Sequence, residues 1–178
     1  MNLDLMDFRP YGVPVLQSPV QPMLYLRAID KYNIDLFVEI GYWFGGLAGI
    51  IAAKCIWQPG FCYLGIEHDQ AYIDKGRVLA HENAVYLRGN CFSEEFADTL
   101  RKAMASSQHT FLFCDGGNKP RELAHFAPML RVGDLIAAHD YADEVLWSDY
   151  NCLMDHGWRE REPDVYRAAL VPLWEKIA

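Results

Sequence analysis

The sequence predicts a three-layer α/β domain, a doubly wound and mostly parallel sheet with helices on both faces. Three observations predict it. Five short apolar runs alternate with amphipathic stretches, turn signals separate them, and several runs are continuously apolar, as strands buried on both faces require. The chain has 178 residues, 52% hydrophobic and 22% charged, enough for one core without staples.

Residues 1–22 stand apart. Pro10, Pro14, Pro19 and Pro22 predict an extended or turning arm, and Phe8, Tyr11, Val13, Val15 and Leu16 give it apolar content. The arm packs on its own domain, on a partner subunit or over a site, or else is a disordered leader. Residues 23–178 read as one domain.

Leu36-Phe37-Val38-Glu39-Ile40 is the first expected strand. Leu47, Ile50, Ile51 and Cys55 then recur at helical spacing until Pro59-Gly60. The second strand is Phe61–Ile66, followed by a short helix from about Gln70 to Val78. Ala84–Leu87 is a third, weaker strand. Ser93 suits an N-cap, with Glu94 and Glu95 favourable at the positive end of the dipole, and Phe96, Leu100, Ala103 and Met104 mark the buried face. Thr110–Cys114 is the fourth strand. Leu123, Phe126, Ala127 and Leu130 form a stripe that Gly133 ends, and Leu135–Ala138 is the fifth strand. Residues 142–156 suit a helix, and within 167–177 a last strand is favoured over a helix.

Lys plus Arg number 16 against 24 Asp plus Glu, a net charge of −8, which argues against broad nucleic-acid binding. No apolar run reaches the roughly 18–20 residues of a membrane span, and the acidic start Met1–Asp7 is unlike a signal peptide. A cytoplasmic protein is expected. Five cysteines without a CxxC pair argue against a disulfide framework or structural zinc.

In such sheets, ligands bind beyond the carboxyl ends of the strands. Glu39-Ile40-Gly41-Tyr42-Trp43-Phe44-Gly45-Gly46 follows the first strand as G-x-x-x-G-G, not the G-x-G-x-x-G of dinucleotide enzymes. Glu39 would repel a pyrophosphate and suits a cationic ligand; the alternative is a tight turn without ligand. Glu67-His68-Asp69 places an acid where ribose hydroxyls are bound, although Asp69 could equally be a helix cap. In Arg88-Gly89-Asn90-Cys91-Phe92-Ser93, Asn90 could meet an adenine edge and Phe92 its face, or the stretch is an ordinary loop.

The runs FVEIGYWFGG, GIEHD, RGNCFS, FLFCDGGNKPRE and GDLIAAHDY, over residues 34–141, resemble a class I S-adenosylmethionine-dependent methyltransferase. They are most similar to the small-molecule O-methyltransferase and cephalosporin-hydroxylase-like branches. The resemblance implies the Rossmann-like class I methyltransferase fold and methyl transfer to a hydroxyl or amine of a small molecule. It implies S-adenosylmethionine within reach of Glu39, Gly41, Tyr42, Gly45, Gly46, Glu67, His68, Asn90, Cys91 and Asp115. Asp115 and His139-Asp140 end the fourth and fifth strands and could hold Mg²⁺ or another divalent cation. Related families carry Asp and then Asp-Asn there. Without a metal, Asp115 would place the sulfonium while His139 and Asp140 position substrate. The catalytic candidates are Lys119, His139 and Asp140. Lys119 would act as a base if desolvated, or else is a solvated helix-start residue; His139 is the alternative base.

Tyr42, Trp43, Phe44 and Tyr141 are expected to wall the pocket, with core packing the safer role for Phe44. Competing readings are cofactor cleavage, a nicotinamide-dependent oxidoreductase and a non-catalytic module. Fewer than 40 residues follow Tyr141, which favours a small acceptor, an open site or a pocket completed in a homo-oligomer.

Overall fold

The computed structural model describes residues 9, 12–15, 17–76, 78–154 and 156–178. Its strands are β1 (Leu36–Ile40), β2 (Cys62–Glu67), β3 (Ala84–Arg88), β4 (Thr110–Cys114), β5 (Leu135–Ala138), β6 (Trp158–Arg161) and β7 (Leu173–Lys176). The helices are α1 (Val20–Lys31), α2 (Gly46–Ala52), α3 (Lys54–Trp57), α4 (Gln70–Lys75), α5 (Glu94–Ser106), α6 (Lys119–Phe126), α7 (Asn151–Met154) and α8 (Pro163–Tyr166). The sheet order is β3-β2-β1-β4-β5-β7-β6. β1 to β5 are parallel, and β7 runs antiparallel to both β5 and β6.

The five expected strands form where the apolar runs lie, and β1, β4 and β5 are buried at every position. Leu36, Val38, Leu64 and Leu112 face one core, against α5 and α6, whereas Phe37, Tyr63, Phe111 and Phe113 face the other, against α1 and α2. Ser93 caps α5 by accepting from the Phe96 N–H at 3.2 Å, as expected.

The departures have local causes. The proline-rich arm is not extended throughout, because α1 begins at Val20 and runs through the expected boundary at residue 22. Pro22 sits in the first turn, where a missing N–H breaks no helical bond. Val13 and Val15 are buried, so this part of the arm packs on its own domain. Pro10, Phe8, Tyr11 and Leu16 lie outside the described residues.

Residues 142–156 are not one helix. Three amides, those of Asp143, Glu144 and Val145, turn back onto the Asp140 carbonyl, and a 3₁₀ turn at Trp147–Tyr150 precedes α7. The last strand forms as β7, but its partner β6 was not expected, since Trp-Arg-Glu-Arg carries little apolar signal. Its charges are paired instead: Arg161 donates to Glu175 at 2.5 Å and Arg167 Nε to Glu160 at 2.6 Å.

Order β3-β2-β1-β4-β5 puts the reversal in strand order between β1 and β4, although both strands run parallel. There the arm crosses α2. A Cβ on Gly46 would lie 2.2 Å from the Pro14 carbonyl oxygen and 2.8 Å from Val15 Cγ2. Gly46→Ala should therefore lower stability by about 1–3 kcal/mol through overpacking. Thermal unfolding checks the loss, and faster proteolysis around residues 12–18 checks that the arm is what shifts.

Candidate active site

Hydrogen bonds just past the strand ends align the loops. Gly41 N–H donates to Ile66 O at 2.8 Å, Asp115 N–H to Ile40 O at 2.9 Å and His139 N–H to Cys114 O at 3.1 Å. The sheet's pleat sends Glu39 and Glu67 to the α1–α2 face. Asp115 and His139 meet residues from the same side: Gln17 Nε2 donates to Asp115 Oδ2 at 2.6 Å, and His139 Nε2 lies 3.2 Å from Gln21 Oε1. All four line a cleft of about 480 Å³, together with Gly41, Tyr42, Gly46, His68, Lys119 and Asp140.

Gly41 is required twice over. Its φ is +82°, and a Cβ would sit 2.7 Å from the Asp115 carbonyl oxygen. Gly45 does not line the cleft; it ends the turn at φ +86° and donates to the Tyr42 carbonyl at 2.8 Å.

Glu39 is buried and accepts from the Tyr63 hydroxyl at 2.5 Å. Desolvation pushes its pKa up to about 8, although that hydrogen bond opposes the shift. Glu67 spends part of its carboxylate on the loop: Oε2 accepts from Trp43 N–H at 3.0 Å, and Oε1 from His68 and Asp69 N–H at 2.8 and 2.9 Å. Asp69 is indeed the cap of α4, accepting from Ala71 N–H at 2.8 Å. The His68 ring is mostly exposed, with Nδ1 3.2 Å from Glu67.

Asn90 and Cys91 open onto an adjoining cavity of about 390 Å³. It shares Gly41, His68, Gly116 and Gly117 with the main cleft and is also lined by Phe92. Asn90 Oδ1 accepts from Phe92 N–H at 3.0 Å, which shapes this loop.

Asp115, His139 and Asp140 converge, with one ligand atom from each within 4.8 Å of the others. His139 Nδ1 is 2.8 Å from Asp140 Oδ1 and 3.4 Å from Asp115 Oδ1. Burial pushes Asp115 up to about 7 against the pull of His139 and Lys119. Burial also opposes charge on Asp140, but the hydrogen bond from His139 and the ion pair with Lys119 win, leaving it at about 2. For His139 the burial penalty is outweighed by Asp140 and Asp115, so its pKa is raised.

Lys119 departs from both expected roles. It is buried, not solvated, and its Nζ lies 2.6 Å from Glu144, 3.1 Å from Asp140 and 3.7 Å from Asp115. Desolvation would lower its pKa, but these carboxylates raise it. Lys119 is therefore a fixed positive charge and not a neutral base. Trp43 lines the cleft, whereas Phe44 packs on Trp43 and Tyr72. Tyr141 turns away into an aromatic cluster with Trp147 and Tyr150.

Sequence reasoning missed Gln17, Gln21 and Glu122. Buried Glu122 accepts from the Gly116 and Asn118 amides, each at 3.2 Å, and holds the loop after β4. A capping Asn118 followed by an acid in the first turn was the available signal. Gln17 and Gln21 had none, since their partners Asp115 and His139 lie 98 and 118 positions away in the sequence.

This is the Rossmann-like class I methyltransferase fold, and solved structures share it. An apo structure of CmcI is 18% identical at TM-score 0.75, with 100% of this chain aligned to 81% of that one. A Mg-SAM structure of CmcI is 17% identical at TM-score 0.77, covering 98% of this chain and 78% of that one. A putative caffeoyl-CoA O-methyltransferase from Staphylococcus aureus is 16% identical at TM-score 0.58, covering 73% and 61%. No protein-family model and no curated protein matches the sequence. Among the described residues, no helix is long and apolar enough to cross a membrane.

The ligand-free protein should lose stability as pH rises from about 4.5 to 8. A carboxyl with a raised folded pKa makes the native state bind more protons across that window, so deprotonation favours unfolding. Asp115 adds to the slope in the same direction up to about 7. Urea unfolding at several pH values checks this, and Glu39→Gln should flatten the slope, most clearly above pH 7.

Proposed function

We propose that the protein transfers the methyl group of S-adenosylmethionine to a hydroxyl, or an amine, of a small molecule, with a divalent cation assisting. One observation carries the reading. Glu39, Glu67 and Asp115 are brought to one face at the strand tips, inside a cleft whose loop after β1 bends at Gly41 and packs directly against the Asp115–Gly116 backbone. A buried carboxyl as unfavourably placed as Glu39 gains from a cationic ligand, and the sulfonium donor carries both an ammonium and a sulfonium.

The donor supplies an already activated methyl group, and a divalent cation supplies Lewis acidity to an acceptor oxygen. The residues supply position. Glu39 and Asp115 face the donor's positive groups, Glu67 has lone pairs left for ribose hydroxyls, and Asn90, Cys91 and Phe92 form the walls of an adenine pocket. Asp115, His139 and Asp140 are a donor set that fits a divalent ion, two carboxylates and an imidazole around one point. Lys119, on the cleft wall beside them, holds Asp140 and Glu144 in place. The in-line arrangement of acceptor and methyl is the main catalytic requirement, and the arm helps to close the cleft around it. Free cysteines agree with a cytoplasmic location, and exposed Trp57 offers a surface for homo-oligomer contact.

Calorimetry should show binding of S-adenosylhomocysteine, weakened about tenfold or more in Glu67→Gln through loss of a charge-assisted hydrogen bond. Gly41→Ala should abolish it. No affinity for either donor or product would overturn the reading. Methylthioadenosine instead of S-adenosylhomocysteine as product would point to cofactor cleavage.

A further inference from the structure

We propose that the cation site at Asp115, His139 and Asp140 selects a first-row transition ion over Mg²⁺, and that Gln21 enforces this by fixing which nitrogen of His139 faces the carboxylates. The inference deepens the reading of the cleft as a metal-assisted methyl-transfer site and rests on it for its purpose. The geometry that carries it is independent of the donor.

The orientation of the Gln21 amide is set by the backbone. Its Oε1 accepts from the Ser18 N–H at 2.9 Å, which only an oxygen can do. Its Nε2 donates to the Ala169 carbonyl at 2.6 Å, which only the amide nitrogen can do. The atom presented to His139 Nε2 at 3.2 Å is therefore an acceptor, and His139 Nε2 must carry hydrogen. Gln21 is 4% exposed, so water does not compete freely for this bond.

With Nε2 committed to Gln21, it is Nδ1 that faces Asp140 Oδ1 at 2.8 Å and Asp115 Oδ1 at 3.4 Å; it donates to Asp140 while no ion is bound, and an arriving ion takes that proton's place on its lone pair. Once that proton has left, three electron-rich atoms face one point. A proton on Nδ1 satisfies mainly the contact to Asp140, whereas a metal ion satisfies all three. A ring nitrogen oriented by a second hydrogen bond is how ligating histidines are held.

Nitrogen in the set decides the ion. Mg²⁺ prefers oxygen donors and gives up water reluctantly, whereas imidazole nitrogen suits Fe²⁺, Ni²⁺, Cu²⁺ and Zn²⁺ best and is accepted by Mn²⁺, the weakest-binding of the series and so the most demanding probe. Gln21 acts as a positioning residue, since it reaches the ion only through His139. Gln17 plays a parallel part by holding Asp115 Oδ2, which leaves Oδ1 turned toward the histidine.

The test uses the full chain and Mn²⁺ or Mg²⁺ alone, by calorimetry, with pulsed electron paramagnetic resonance on the Mn²⁺ sample. Mn²⁺ should bind about tenfold or more tightly than Mg²⁺, with a directly bound ¹⁴N coupling in the spectrum. His139→Asp should keep ion binding, lose the nitrogen coupling and bring the two affinities together. Gln21→Leu should weaken Mn²⁺ binding about 10–100-fold. Gln21→Glu, which still accepts from Nε2–H but loses the donation to the Ala169 carbonyl, should restore part of it. Gln21→Leu added to His139→Asp should change nothing further. Equal Mn²⁺ and Mg²⁺ affinity, absent nitrogen coupling, no ion binding, or an unaffected Gln21→Leu would overturn the inference. S-adenosylhomocysteine binding measured on the same samples separates the outcomes. Its loss alone defeats the methyl-transfer reading, and loss of ion selectivity alone defeats this one.

Discussion

The structure depends on an imbalance of charge at the tips of a parallel sheet. Glu39, Glu67, Asp115 and Asp140 gather where the strand order reverses, and Glu39 and Glu67 are almost fully out of water. Desolvation holds Glu39 and Asp115 against ionisation, while Lys119 and His139 pull the other way on Asp115. A protein tolerates such a group of buried carboxylates when a positive ligand or a proton completes it.

The N-terminal segment belongs to the same arrangement. It lies over α2, against a glycine that leaves no room for a side chain, and carries Gln17 and Gln21 to Asp115 and His139. Residues 98 and 118 positions apart in the chain thus share a hydrogen-bonding network. Packing of this segment and the geometry of the ligating groups are physically linked, so damage to one is felt at the other.

Much of the fold was legible because parallel strands buried on both faces leave continuous apolar runs. β1, β4 and β5 are such runs, and their ends locate Glu39, Asp115 and His139 at the tips without further information. Local spacing also revealed Ser93 as a cap. The remainder was hidden for identifiable reasons. α1 begins among prolines that suggest extension but are harmless in a first turn. β6 carries charges whose partners on β7 and beside α8 appear only in three dimensions. Lys119 reads as desolvated or solvated from sequence, but Glu144, carried back by a turn at Asp140, decides its charge. Tyr141 looks like a pocket wall until the aromatic cluster behind it is seen.

The edge strand β6 shapes how the molecule behaves in a crowded solution. β6 is the sheet's outermost strand beyond β7, and its short run of Arg159, Glu160 and Arg161 is polar where an exposed edge would otherwise invite another chain to add. A newcomer pairing there would have to set its own side chains against these charges and disturb the tethers to Glu175 and Arg167. That rim is guarded against runaway strand addition.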